Sequence, residues 1–221
     1  MQSTEYAPGR AVDVYGEPTD PIVLLWHGMQ TDSRAAVQPL AERLARRGLG
    51  VVAPDWNSHA DDSGRGDLVQ SAAFAREYAD GSGLVVVGWS LGGAAAAGLS
   101  LDPSQHVART VCLGGAFTAA DPISGRALDR DLPAHHGGAF LLLHGAADDV
   151  VPPSASHDFA AHLARAGWPV KVVELDTDHG AIAGARYDPA ADRYLPAEDS
   201  SALAVAEDVA ARIASFAAQK A

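Results

Sequence analysis

Short apolar runs recur along the chain at intervals too long for hairpins: Pro21–Trp26, Leu49–Ala53, Leu84–Gly88, Thr110–Gly114, Ala139–His144 and Val170–Leu175. They are continuous rather than alternating, the pattern of strands buried on both faces of a parallel sheet. Helical patterns lie between and after them, at Ala35–Arg47, Leu68–Ala79, Leu91–Ser100, Ala155–Ala166 and Ser201–Ala218. Gly48 and Gly167 stand just past two of these, where a left-handed C-cap is favoured. Strand–helix alternation predicts an α/β fold: a doubly wound, mostly parallel sheet with helices on both faces. Arg10–Tyr15 is expected to add an antiparallel edge strand. No repeat and no linker divides the chain, so residues 1–221 read as a single domain. Two stretches read as loops, Ala116–Gly138, with room for one short helix but not a lid domain, and Ala181–Ser200. In folds of this type such loops border the ligand site.

The strongest local signal is Gly88-Trp89-Ser90-Leu91-Gly92-Gly93, directly after Leu-Val-Val-Val and directly before an Ala-rich helix. It matches G-x-S-x-G in the strand–turn–helix setting that gives the motif chemical meaning. A nucleophile there sits in a strained turn, and glycines at 88 and 92 remove Cβ atoms that would collide as the chain reverses. The helix beginning at Leu91 would aim N–H groups and its positive dipole end at developing negative charge. A Gly/Ser turn capping a packed helix explains the same string without chemistry. No Lys-Ser/Thr follows the glycines and no G-x-G-x-x-G is present, which disfavours a nucleotide site.

The chain resembles the α/β-hydrolase superfamily beyond this turn. Trp26-His27-Gly28-Met29 is similar to its H-G-x oxyanion loop, and Pro54-Asp55 to its PD strand end. His144-Gly145-Ala146-Ala147-Asp148-Asp149-Val150-Val151-Pro152 resembles the H-G-x-x-D-x-x-V-P segment carrying the acid, and Asp178-His179-Gly180 the histidine loop. The order Ser, Asp, His is the family's. The resemblance implies Ser90 as nucleophile, His179 as general base and then acid, and Asp148 as the group orienting the imidazole. It implies backbone N–H groups of Met29 and Leu91 as the oxyanion hole. Asp149 takes the acid role if the turn is one residue longer, and Asp121 if the acid has moved to the preceding strand. Asp176 and Asp178 read as loop residues. An aspartate nucleophile, as in dehalogenases and epoxide hydrolases of this fold, is absent from position 90.

The other histidines have plainer readings. His27 and His144 close strands and are expected to bond within turns; His59 borders the pocket; His106, His157 and His162 read as surface residues. His135-His136 lacks further ligands at useful spacing, so no metal is expected. Cys112, the single cysteine, lies inside a strand pattern and reads as a small hydrophobe. Trp89 either lines an acyl pocket or packs beneath the nucleophile.

Charge narrows the partners. Sixteen Lys and Arg against 28 Asp and Glu give a formal net charge of −12, which disfavours nucleic acid and anionic membrane surfaces. No run approaches the roughly 18 apolar residues of a membrane span. The first residues show no basic and apolar leader pattern, so a cytoplasmic protein is expected. The leading expectation is a serine carboxylesterase resembling small, nearly capless carboxylesterases and the dienelactone-hydrolase group. It needs no cofactor, acts on small-molecule esters of short to medium chain, and leaves the oligomeric state open. Ser90 departs from the cysteine usual in dienelactone hydrolases. Thioesterase or lactonase activity by the same residues comes next; a non-catalytic ligand-binding module and a peptidase are less expected.

Overall fold

The computed structural model describes residues 1–18, 21–79, 83–129 and 131–219. In chain order the strands are β1 (Gln2–Ala7), β2 (Arg10–Tyr15), β3 (Ile22–Trp26), β4 (Gly50–Pro54), β5 (Leu84–Trp89), β6 (Arg109–Leu113), β7 (Ala139–Gly145), β8 (Val170–Leu175), β9 (Ala185–Asp188) and β10 (Arg193–Pro196). The helices are α1 (Gln38–Arg46), α2 (Arg65–Tyr78), α3 (Leu91–Leu101), α4 (Ser154–Arg165) and α5 (Ser200–Ala217).

The main sheet runs β1-β2-β4-β3-β5-β6-β7-β8. From β4 to β8 it is parallel, while β1 and β2 pair antiparallel at one side. Strand side chains alternate between two cores. Leu24, Val86 and Leu142 pack with α2, α3 and α4, while Leu25, Val87 and Leu143 pack with α1 and α5. Both faces are therefore covered, which is why the apolar runs are continuous.

Several details differ from the sequence reading. Arg10–Tyr15 is antiparallel but is not the edge, because β1 lies outside it; β1 reads Gln-Ser-Thr-Glu-Tyr-Ala and is largely exposed, so it carries no apolar signal. The first helix starts at Gln38, after a 3₁₀ turn at Arg34–Val37, with a proline in its first positions. None of the described residues of 116–138 is helical. Residues 181–200, expected to be a loop, contain a 3₁₀ turn (Ala181–Ala183) and an antiparallel ribbon of β9 and β10.

The order reverses at β3, which lies between β4 and β5, so crevices open at the carboxyl ends of β3 and β5. Trp26 is in register with Gly88, Trp89 with Leu113, Leu113 with Leu143, and Gly145 with Leu175. The loops bearing Met29, Ser90, Asp148 and His179 thus leave one edge of the sheet.

Candidate active site

Ser90 occupies the turn between β5 and α3 with φ 57 and ψ −120. A positive φ at a non-glycine residue is strained and is held only where surroundings over-determine it. Here the Ser90 N–H donates to the Leu113 carbonyl at 2.9 Å, and the Ser90 carbonyl accepts from the Gly93 and Ala116 N–H groups at 2.9 and 3.0 Å. The flanking glycines are sterically required: a Cβ at Gly88 would strike the Gly92 backbone, and one at Gly92 would strike the His27 carbonyl.

The loop after β3 lies against this turn, since a Cβ on Gly28 would come within 3.1 Å of Ser90 Cβ. His27 is fully buried, and its Nε2 accepts the Ser33 and Trp56 N–H groups at 3.2 Å each. The ring proton is therefore on Nδ1, which donates to the Gly28 carbonyl at 2.8 Å; the Gln30 N–H donates to the same oxygen at 2.9 Å. In a trans peptide N–H and C=O point in opposite directions, so these two donors aim the Met29 N–H away from themselves. Burial pushes the His27 imidazole down to about 4, which keeps it neutral. The Met29 side chain is exposed. Among the described residues neither the Met29 nor the Leu91 N–H has a hydrogen-bond partner.

Asp148 and His179 form the best-defined pair of the site. Both are buried, with His179 Nδ1 at 2.7 Å from Asp148 Oδ2. The other carboxylate oxygen accepts the Val150 and Val151 N–H groups at 3.0 and 2.8 Å. Burial alone pushes this carboxyl up, but hydrogen bonds from His144, His179 and the Val151 N–H outweigh it and hold it well below the usual carboxylate range. Gly114, with φ 51, lies beneath the pair, where a Cβ would sit 3.0 Å from Asp148 Oδ2 and 3.2 Å from His179 Nδ1.

Trp89 packs beneath Ser90 at 1% exposure, and its indole N–H donates to the His179 carbonyl at 2.8 Å. One residue of the Ser90 turn therefore anchors the histidine loop directly. Tyr194 of β10 meets Trp89 edge-on at 4.8 Å between centroids and lies 6.0 Å from the His179 ring. Burial, with Asp148, Asp149 and Asp178 nearby, pushes the Tyr194 phenol up to about 12, so it stays neutral. No hydrogen bond joins Ser90 Oγ to His179 among the described residues; the two are tied through Trp89.

The alternative acids lie elsewhere. Asp149 and Asp176 are exposed, and Asp178 uses its carboxylate on the Gly180 and Ala181 N–H groups. Asp121 is buried, staples its own turn by accepting from Ile123 and Ser124, and packs against Gly98. His135 and His136 bond loop carbonyls and stand edge-on to Trp168. Among the described residues no group of His, Cys, Asp and Glu could hold a metal, and no helix is long and apolar enough to cross a membrane. Cys112 is buried, its Sγ 3.4 Å from the Gly93 carbonyl, and burial pushes its thiol up. Gly114 and Tyr194 had no sequence signal of their own: the first ends a strand pattern, and the second sits in a polar stretch.

A cleft of 930 Å³ opens beside His179 and is lined by Asp149, Val150, Asp178, Tyr187 and Tyr194. Ser90 is not part of its wall. The cleft thus lies on the histidine's outer side rather than over the serine.

No curated protein matches the chain in sequence. Among solved structures it is similar to esterase 2 of Thermogutta terrifontis at 18% identity. The apo form gives a TM-score of 0.71 and the form phosphoramylated by tabun 0.70, each covering 99% of this chain and 96% of the other. The propionate-bound form gives 0.69 over 100% and 96%. At that identity the likeness establishes the fold. The profile of the family described as serine aminopeptidase, S33, matches residues 17–131, a span holding the loop after β3 and the serine turn. With sheet order, strained serine and family profile in agreement, the chain belongs to the S33 serine aminopeptidase family of α/β-hydrolases.

Proposed function

We propose that the protein cleaves carboxylic esters of short to medium chain through an acyl-enzyme, with Ser90, His179 and Asp148 as its triad. The observation that carries the reading is the buried Asp148–His179 hydrogen bond of 2.7 Å, tied through Trp89 to a serine held at φ 57. In the first step Ser90 Oγ attacks the ester carbonyl while its proton passes to His179 Nε2. The tetrahedral oxyanion is met by the Met29 and Leu91 N–H groups, which have no other partner among the described residues. Collapse expels the alcohol, which takes the proton from His179. Water then repeats the sequence on the acyl-enzyme and regenerates Ser90. Asp148 holds Nδ1–H, so Nε2 faces the serine, and its charge stabilises the imidazolium. Serine–histidine hydrogen bonds are commonly long before substrate binds and tighten in the complex.

The Thermogutta esterase whose fold this chain shares has a propionate-bound structure, which accords with a small acyl group. The family description favours a second reading, hydrolysis of aminoacyl amides by the same residues.

The test is hydrolysis of p-nitrophenyl esters from C2 to C12 alongside aminoacyl p-nitroanilides, with the wild type and Ser90→Ala. Ester activity peaking at C2–C6 and vanishing in the variant is the expected result. Turnover of the anilides alone would replace it with the peptidase reading, and folded protein that acts on neither would refute both.

A further inference from the structure

We propose that His144 is a positioning residue for the triad acid, sharing Asp148 with His179. The inference rests on the reading of Ser90, Asp148 and His179 as the triad. His144 stands near the end of β7 and is fully buried. Its Nε2 lies 2.9 Å from the Val151 carbonyl oxygen and 3.3 Å from Asp148 Oδ2. Both neighbours are acceptors, so the proton is on Nε2, and Nδ1 accepts the Ser156 hydroxyl of α4 at 2.7 Å.

The carboxylate is thus divided. Oδ1 takes two backbone donors, from Val150 and Val151, while Oδ2 faces two imidazoles. Val151 is gripped on both sides, its N–H by Asp148 and its carbonyl by His144, and this closes the acid loop onto β7 and α4. His144 has two consequences for the chemistry. It fixes the direction in which Oδ2 points, and it draws on the same lone pairs that stabilise the His179 imidazolium. Remove it, and Oδ2 serves His179 alone but in a looser loop.

Other titratable groups near these residues are Tyr194 from β10, Asp178 in the histidine's own loop, Asp149 next to the acid, and the exposed pair of Glu174, the register partner of His144 on β8, with His157 of α4. Trp89, from β5, carries no charge. None of these is altered by changing residue 144, so a displaced pH profile reports the shared carboxylate.

The experiment measures kcat and KM on p-nitrophenyl acetate from pH 5 to 9 for the wild type, Ser90→Ala, His144→Phe, His144→Gln and Ser156→Ala. In His144→Phe the acidic limb of kcat/KM is expected to move up by about half a pH unit, with kcat down roughly tenfold and KM unchanged. The glutamine amide can donate from the Nε2 position, so His144→Gln is expected to recover both. An acidic limb of His144→Phe that coincides with the wild type, or a His144→Gln that fails equally, overturns the proposal. Should His144→Phe not fold, Ser156→Ala decides: freeing Nδ1 loosens the ring, and a limb shifted the same way by a smaller amount supports the role, while an unmoved limb refutes it. Activity that survives in Ser90→Ala would instead overturn the triad reading itself.

Discussion

Ser90 and the proposed oxyanion donors are held by backbone: a serine at φ 57, glycines at 88 and 92 that leave no room for a Cβ, and a peptide oxygen at Gly28 fixed by two donors. Asp148 and His179 are held by side chains: a carboxylate that receives His179 and two backbone N–H groups with His144 beside it, and an imidazole whose loop hangs from the Trp89 indole. The difference teaches where each half is vulnerable. A backbone-built half fails by steric collision and survives loss of side chains such as the exposed Met29. A side-chain-built half fails bond by bond.

The largest effect expected tests the nucleophile. Ser90→Ala removes nearly all ester turnover, by a factor on the order of 10⁶, yet the circular dichroism of the variant should match the wild type, because the turn is kept by hydrogen bonds of the main chain. Residual activity near wild type would break the comparison at its centre.

In the side-chain half, Asp148→Asn is expected to lower kcat by about 10⁴ through the wrong imidazole tautomer. Asp149→Asn, exposed and one residue on, should change it less than twofold, within the range of a surface substitution. Steady-state kinetics of the two variants check the assignment, and the reverse ranking would move the acid to Asp149.

The backbone half contains one buried ring that sets its own pH dependence. His27, pushed down to about 4 in the fold, resists a proton that the unfolded chain accepts near 6.5. Its folded-state value is the lower one, so its contribution to stability is constant above about pH 6.5 and falls as the pH drops from there toward 4. The loss reaches on the order of 3 kcal/mol. Urea unfolding at pH 7.5 and 4.5 for the wild type and His27→Gln measures it: the glutamine variant should be the less pH-dependent of the two.

The smallest effect concerns the tie between the halves. Trp89→Phe keeps a ring beneath the serine but loses the bond to the His179 carbonyl, and a single hydrogen bond near 1 kcal/mol corresponds to about a fivefold fall in kcat. An unchanged kcat would show that the halves are positioned independently.

Much of this architecture was legible in the sequence for one physical reason. Strands buried on both faces must be apolar throughout, so β3 to β7 announce themselves. The serine turn did so too, because glycines are forced on both sides of Ser90. Trp89 stayed ambiguous because its partner is a backbone carbonyl ninety residues away, which has no residue-type signature. The β9–β10 ribbon was hidden by its content: Ala-Arg-Tyr-Asp and Arg-Tyr-Leu-Pro are short and largely polar, and of their side chains Ala185 is buried in the core and Tyr194 packs on Trp89. His144 read as a turn residue, and nothing in its spacing showed that it faces Asp148.

The ribbon has a thermal consequence. Two strands without a third are marginal by themselves, and this pair is fastened by Tyr194 on Trp89, by Arg193 to the Ser33 hydroxyl at 3.1 Å, and by the Ala197 N–H to the Gly184 carbonyl at 2.9 Å. It belongs to the least protected class of structure, one that opens before the sheet melts. Its opening strips Tyr194 from the Trp89 and His179 rings. On heating, the protein should therefore fall silent as a catalyst while its helices and main sheet still read as native.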